Sequence, residues 1–226
     1  MAIMMKNSNR DMTTARSGLR RRSLLALGLA AVAPLGRHAV ANPAPAGAIA
    51  IIARFDEALL ALMRADAQTV FSRRFELLAP SVDQTFDLPA VLAVSVGPAW
   101  TNLPPDQKNE LLAEFRRYTV ASYVANFDNY AGQHFAILPE TRGLGAGRVI
   151  VQTRLIPVSG DATRLDYVMQ LTSSGWKAVD VLADGSISHV AVQRSDFRRI
   201  LSRGGGNALL ASLRRKTSDL SGGTVA

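Results

Sequence analysis

The chain has 226 residues and contains no cysteine, which excludes a disulfide framework, a cysteine nucleophile and a thiolate metal site. Its net charge of +8 would by itself suggest an anionic partner such as nucleic acid. Segment 1–41, however, holds seven basic residues and one acidic residue, so 19 basic and 17 acidic residues remain in 42–226. The remaining charge of +2 gives little reason to expect nucleic-acid binding.

Residues 1–41 have the three parts of an export signal. A basic leader is followed by an apolar run from Leu24 to Leu35 and by Ala39-Val40-Ala41, which fits the small-residue cleavage pattern. The apolar run is shorter than the roughly 20 residues that a membrane span needs. Arg21-Arg22-Ser23-Leu24-Leu25 resembles a twin-arginine signal, with a general secretory signal and an uncleaved anchor as alternatives. We predict export and cleavage after Ala41.

The rest of the chain is predicted to form one domain. Segment 42–47 is rich in proline and alanine and is predicted to be a linker, 48–216 a single domain, and 217–226 a disordered tail. Its first half is predicted to be helical, with helices from Ala48, at 67–78 before Pro80, at about 88–95, and at 104–130. The first helix is expected to bury Ile52, Phe55, Leu59, Leu62 and Met63 and to place Arg54, Asp56, Glu57 and Arg64 opposite.

The long helix carries an aromatic stripe. Its members recur at three- and four-residue spacing: Leu112, Phe115, Thr119, Tyr123, Phe127 and Tyr130. Such a stripe can simply pack against a sheet, or it can form the wall of an apolar cavity. In the second case tyrosine hydroxyls could orient a polar group of a ligand.

A meander of strands follows the long helix. A first strand is predicted at His134–Leu138, the glycines of 143–147 are expected to form a flexible hairpin loop, and strands follow at 148–156, 163–172 and 176–181. On 163–172 the alternation places Leu165, Tyr167, Met169 and Leu171 on one face, and Arg164, Asp166 and Gln170 on the other. We therefore predict an antiparallel sheet of about four strands with one face covered by helices.

Two helices are predicted to close the domain. Ser195 is expected to cap a helix over 196–202, Gly204-Gly205-Gly206 to end it, and Asn207 to cap a second helix over about 208–216. Basic residues cluster at this end: Arg198, Arg199, Arg203, Arg214, Arg215 and Lys216. They form either a solvated helix face or a contact for an acidic partner or anionic lipid headgroups.

Residues that could carry out catalysis are few. His134 and His189 are isolated and lack any metal-ligand spacing, and no nucleophile-elbow motif is present. Asp180 follows Trp176 on a strand, where it could be a buried catalytic carboxylate or, alternatively, an acceptor for nearby loop amides. Much apolar surface with few convergent reactive groups is more typical of a carrier than of an enzyme.

The order of several short motifs resembles the MlaC (toluene-tolerance auxiliary) family of periplasmic lipid-binding proteins. The resemblance extends from about Phe55 to Leu213 and, within the family, is greatest to the hopanoid-associated branch called HpnM. The motifs are Val96-Gly97-Pro98-Ala99-Trp100, then Gln107, Phe115 and Tyr123 on one helix, Asn129-Tyr130-Ala131-Gly132, Gly175-Trp176-Lys177-Ala178-Val179-Asp180-Val181, Gly185-Ser186-Ile187-Ser188, and Arg194-Ser195-Asp196-Phe197-Arg198-Arg199-Ile200-Leu201.

This resemblance implies an α+β fold of the nuclear-transport-factor-2-like (NTF2-like) type, in which a curved antiparallel sheet and several helices enclose an apolar cavity. It implies a periplasmic carrier of a phospholipid or hopanoid, without enzymatic activity, cofactor or metal. The implied partners are an inner-membrane ABC transporter complex, an outer-membrane lipoprotein complex and, transiently, the membrane. The candidate lipid-binding residues, with the inward face of the sheet left open, are Trp100, Phe115, Thr119, Tyr123, Phe127, Val149, Val151, Tyr167, Met169, Val179 and Val181.

Two other functions stay open at this stage. One is an isomerase-type enzyme on the same fold, with Asp180, or Asp166 together with Tyr167, as its reactive groups. The other is an adaptor for envelope complexes that uses the basic C-terminal residues as its contact.

Overall fold

The computed structural model describes residues 46–225. The predicted signal peptide 1–41 and the first four residues of the predicted linker lie outside the described residues. Ala46 and Gly47, the last two residues of that linker, already belong to the first helix. The described helices and strands are α1 Ala46–Met63, α2 Phe71–Thr85, α3 Leu88–Val96, α4 Ala99–Asn102, α5 Pro105–Asn126, β1 His134–Gly145, β2 Arg148–Ile156, β3 Thr163–Thr172, β4 Gly175–Ala183, β5 Ile187–Ser188 and α6 His189–Ser221.

The sheet is an antiparallel meander in the order β1-β2-β3-β4-β5. The bounds predicted for β2 and β3 are confirmed, and the predicted α+β class is confirmed. The sheet has one more strand than the predicted four, because Ile187 and Ser188 pair with the end of β4. Turn residues bound both strands, β2 is rich in β-branched residues, and β3 alternates between apolar and polar residues.

The glycine run before β2 is not the flexible loop that was predicted. Gly143 pairs with Val149 and Gly145 with Arg148, so β1 continues to Gly145. The hairpin is closed by Ala146 and Gly147, both of which have positive φ. A two-residue turn of this kind matches the twist of antiparallel strands, which is why the pairing continues to the very end of β1.

Helix α2 contradicts its predicted bounds. It begins at Phe71 and continues through Pro80 to Thr85, whereas the sequence predicted an end before the proline. An internal proline costs about 3 kcal/mol, but Leu78 and Val82 on either side of it are fully buried. Burial of two such side chains contributes about 1.5–3 kcal/mol each, so the tertiary contacts outweigh the local preference.

The chain after β5 forms two helical stretches separated at the glycine run, as predicted, and together they make up α6. The first stretch begins at His189 and not at 196, because Ser188, not Ser195, caps it by accepting a hydrogen bond from the backbone N–H of Ala191. Gly204 and Gly205 leave helical geometry and form the kink between the two stretches.

The end of α6 also corrects the prediction of a disordered tail at 217–226. The helix runs to Ser221, and Thr217 and Ser221 are buried. Leu209, Leu213 and Thr217 recur at four-residue spacing and form one buried stripe. Packing of this stripe extends the helix beyond the point where its local sequence becomes polar.

The helices cover the face of the sheet that carries Tyr167. The rings of Phe55 in α1 and Phe86 after α2 lie 6.3 and 6.4 Å from the ring of Tyr167. At the centre of β3 the opposite face of the sheet is also buried, since Asp166 and Val168 are buried. Within 46–225 no helix combines the length and the apolar character that a membrane crossing requires.

Candidate functional site

Four rings meet in the interior, from α1, from the residue after α2, from α5 and from β3, and we call them the aromatic cluster: Phe55, Phe86, Tyr123 and Tyr167. Phe55 contacts Phe86 and Tyr123 edge-to-face, with centroids 5.4 and 5.1 Å apart. All four are buried. Aromatic pairs in this geometry contribute about 0.5–1.5 kcal/mol each beyond the burial of area, so the cluster joins the helical layer firmly to the sheet.

The strand register identifies which candidate residues share the sheet face of Tyr167. Val151, Tyr167 and Val181 lie directly opposite one another on β2, β3 and β4, and Val149 lies opposite Met169. Residues opposite one another in an antiparallel sheet point to the same face. Five of the strand candidates therefore line the face beneath the helices.

Val179 does not share this arrangement. Val168 pairs with Asp180 and Met169 with Ala178, so Val179 is the additional residue of a β-bulge in β4. A bulge increases the local twist and changes the direction of the side chains around it. No local pattern in the sequence indicated this bulge.

The aromatic stripe of the long helix divides between two surroundings. Phe115 packs edge-to-face against Phe197 of α6, with centroids 6.3 Å apart. Tyr123 belongs to the aromatic cluster, and Phe127 stacks on it and also contacts Phe135 of β1. Each four-residue step advances about 40° around a helix. Over the three steps from residue 115 to residue 127 the stripe therefore turns from α6 to the sheet.

Three other residues lie nearer the surface, two of them in the predicted long helix and one just before it. The Thr119 hydroxyl donates to the carbonyl of Phe115 at 2.8 Å, so it is already occupied. Tyr130 lies beyond the end of α5 and contacts Arg64. Trp100 lies on α4, half-buried, with the ammonium of Lys108 5.7 Å from its ring. A ligand could meet Trp100 only at the rim of the interior.

Asp56 is a buried residue that the sequence interpretation placed on the solvent face. It is 4% exposed, and within the described residues neither carboxyl oxygen has a hydrogen-bond partner. Burial raises the pKa of Asp56 from 3.8 to about 8. Burial also raises the pKa of Tyr123 and of Tyr167, and the nearby charge of Asp56 adds to both shifts.

The sequence contains a spacing pattern that indicates burial of Asp56. Ile52, Asp56, Leu59 and Met63 are spaced by four, three and four residues, which is the spacing of a buried helical stripe. This spacing allows Asp56 to lie on the buried stripe. An aspartate is almost always exposed unless it is paired, so its residue type favoured the solvent face instead.

The carboxylates proposed for an enzyme have structural partners. Asp180 accepts hydrogen bonds from the Ser188 hydroxyl at 2.5 Å and from the backbone N–H of Val190 at 3.0 Å. It therefore secures the start of α6, which was the alternative weighed for it. Asp166 is paired with Arg164 at 2.6 Å. Because neighbouring strand residues alternate between faces, Asp166 points away from Tyr167, and the proposed pair is not brought together.

Two surface grooves lie between the helices of the described part. One, of about 370 Å³, is lined by Phe86, Leu88, Leu112, Ala113, Arg116, Asp83, Pro89 and Asn109. It reaches the aromatic cluster through Phe86. The other, of about 340 Å³, is lined by Ala67, Thr69, Phe71, Arg74, Val124, Ala125, Asp128 and Leu220. In residues 46–225 there is no group of three or more histidine, aspartate or glutamate side chains that could hold a metal ion.

The fold defines the class of protein: a helix-covered antiparallel meander with an aromatic interior and without an assembled catalytic group among the candidate residues. The family model for the MlaC protein matches residues 54–215, and the chain belongs to this family. The predicted resemblance is thereby confirmed.

A solved structure supports the same fold. The phospholipid-binding protein from Ralstonia solanacearum, determined in complex with a phospholipid, aligns with a TM-score of 0.68 at 21% identity. The alignment covers 77% of this chain and 98% of that one. At this identity the likeness establishes the shared fold. No curated protein matches the chain.

Proposed function

We propose that the protein is a lipid carrier that shields the hydrocarbon part of a phospholipid or hopanoid between the sheet and the helices. The observation that carries this proposal is the match of the MlaC family model over residues 54–215, which include the whole sheet. The phospholipid in the Ralstonia solanacearum protein supports a phospholipid as the ligand.

The chemistry of the interior agrees with this role. Exposing an acyl chain to water is opposed by about 0.8 kcal/mol for each methylene group, so a carrier must supply apolar side chains along the chain's length. The sheet face under the helices includes valine, methionine and tyrosine side chains, and Phe55, Phe86 and Phe127 oppose it. We propose that Val149, Val151, Tyr167, Met169 and Val181 contact the lipid from the sheet side. Tyr123 and Phe127 would contact it from α5.

We propose other roles for the remaining candidate residues. Trp100 would contact the lipid at the rim, and Phe115, Thr119 and Val179 would act by shaping α5 and β4. We propose export to the periplasm through the signal at 1–41. There the protein would exchange lipid with an inner-membrane ABC transporter complex and an outer-membrane lipoprotein complex.

The direct test is recovery of bound lipid. Residues 42–226 are purified, and native mass spectrometry and solvent extraction are used to detect and identify the ligand. We expect a folded protein with a lipid that is released on denaturation. A lipid-free protein that also fails to take up lipid from phosphatidylglycerol and phosphatidylethanolamine vesicles would contradict the proposal. Capture of envelope complexes by that lipid-free protein would favour an adaptor instead.

A further inference from the structure

We propose that Asp56, together with the hydroxyls of Tyr123 and Tyr167, is an internal hydrogen-bonding site for a hydroxyl group carried on the hydrocarbon part of the ligand. The inference rests on the proposed lipid-carrying function and specifies its ligand further. It names a chemical class: lipids with an alcohol group on the chain or ring system that is buried inside the protein.

The first step is the position of the carboxyl group. Asp56 lies in the middle of α1 on the buried stripe, and its two oxygens have no hydrogen-bond partner among the residues described. Phe55, its neighbour in the helix, contacts the rings of Tyr123 and Tyr167 at 5.1 and 6.3 Å. Besides burial, the nearby charge of Asp56 also raises the pKa of both tyrosines, so Asp56, Tyr123 and Tyr167 lie in one region of the interior.

The second step is the protonation state. Burial favours the neutral acid, since the ionised form would lose its hydration without gaining a partner. A neutral carboxylic acid has one O–H donor and retains acceptor capacity on its other oxygen. Asp56 therefore offers one donor and one acceptor in the region of the interior that also holds Tyr123 and Tyr167.

The third step is the group that complements such a site. An alcohol hydroxyl both donates and accepts, so a single small group can satisfy both oxygens of Asp56. A phosphate would bring a charge, and among the described residues Asp56 has no cationic partner that could compensate it. A quaternary ammonium needs open aromatic faces around it. The rings of the aromatic cluster instead contact one another, with centroids between 5.1 and 6.4 Å apart.

The fourth step is the comparison with an apolar residue. A leucine at position 56 would avoid the penalty of a buried unpartnered carboxyl group and would suit a purely hydrocarbon cargo better. The position of Asp56 is therefore explained by a ligand group that completes its hydrogen bonds. Replacement by leucine is expected to stabilise the lipid-free protein while it removes the preference for a hydroxylated ligand.

The test uses two pairs of probes that differ only in hydroxyl groups. Purified residues 42–226 are incubated with mixed vesicles that contain equal amounts of diricinoleoyl and dioleoyl phosphatidylcholine, and the bound lipids are extracted and counted by mass spectrometry. A second mixture contains cholesterol and cholestane in phosphatidylcholine vesicles. We expect the wild-type protein to enrich the hydroxylated member of at least one pair about two- to tenfold, the range for one hydrogen bond.

The variants separate recognition from folding. Asp56→Leu should take up dioleoyl phosphatidylcholine as the wild type does, lose the enrichment, and show an unchanged or higher Tm. The matched control Glu57→Leu removes an exposed carboxylate from the same helix and should keep the enrichment. Equal ratios in the wild type and Asp56→Leu for both pairs would overturn the inference while leaving lipid carriage intact. No uptake of any lipid by the wild type would overturn both.

Discussion

Asp56 and Arg74 are the two residues whose burial is least expected from their chemistry. Asp56 lacks partners within the described residues, whereas Arg74 has several. Buried polar groups normally form hydrogen bonds. Arg74 follows this rule, whereas Asp56 departs from it within the described residues. In our proposal Asp56 contributes to ligand recognition at the expense of stability, whereas Arg74 contributes to stability through its hydrogen bonds.

We expect the stability of the wild-type protein to decrease between about pH 4 and about pH 8 because of Asp56. The folded-state pKa of about 8 exceeds the ordinary value of 3.8, so the folded state retains a proton that the unfolded state releases. The favourable contribution is complete below the ordinary pKa and is lost as the pH rises through the folded value. The slope is at most about 1.4 kcal/mol per pH unit.

Chemical denaturation of the wild type and of Asp56→Asn over this pH range measures the effect. The difference between the two free energies of unfolding should change with pH in the stated direction. This subtraction also removes the contribution of His189, whose pKa is lowered by burial and whose effect has the opposite sign. A difference that stays constant from about pH 5 to about pH 8 would contradict the assigned burial of Asp56.

Arg74 is expected to be important for the connection between α1 and α2. Its guanidinium group donates to the carbonyls of Leu62, Ala65, Asp66 and Thr69 at 3.0 to 3.3 Å. Arg74→Leu leaves these carbonyls without their donor and should lower the free energy of unfolding by about 3 kcal/mol or more. The neighbouring Arg73 is exposed and paired only with Glu76, so Arg73→Leu should change it by less than about 0.5 kcal/mol. Equal effects in denaturation experiments would refute this role.

At the scale of elements, the kink in α6 depends on backbone freedom at one glycine. Gly205 has φ +63° and ψ −158°, a region that residues with a Cβ atom rarely adopt. The kink allows one helical element to contact both α3 and α5. The sequence predicted an interruption of the helix at this glycine run, and the kink lies there.

We expect Gly205→Ala to destabilise the protein by about 1–3 kcal/mol through backbone strain alone, since no atom lies within 4 Å of the added Cβ. Gly143→Ala is the matched control, because its φ is not positive and its surroundings are equally open. The midpoint of urea unfolding should fall for the first variant and stay nearly unchanged for the second. A fully tolerated Gly205→Ala would mean that α6 can straighten or bend without cost.

At the scale of the whole molecule, the proposed lipid carriage requires that the ligand enter between the sheet and the helices. We expect Val181→Trp to reduce uptake of dioleoyl phosphatidylcholine about fivefold or more, because added volume on the sheet face competes with the lipid. Leu171→Trp, on the neighbouring strand, is the control, since Leu171 is 51% exposed. Lipid bound per protein, measured by extraction after incubation with vesicles, distinguishes the two. Similar uptake by both variants would place the lipid elsewhere.

The sequence by itself determined the features that depend on near neighbours. The β-branched run at 148–156, the alternation over 163–172 and the turn residues around them predicted β2 and β3 to the residue. The spacing of motifs led to the family. These features were predictable because strand alternation and turn conformation depend on residues only a few positions apart.

Only the tertiary structure decided which local preferences prevailed. Pro80 remains inside α2, α6 continues to Ser221, and Asp56 lies within the core. Asp56 is buried because it shares one stripe of α1 with buried apolar residues. For Pro80 and for the end of α6, contacts with residues distant in sequence outweigh a local penalty of about 1–3 kcal/mol, and no short window of sequence contains those contacts. The division of the α5 stripe between Phe197 and the aromatic cluster has the same origin. The geometry of the helix fixes the direction of each side chain, and the surrounding helices and strands determine which residues it contacts.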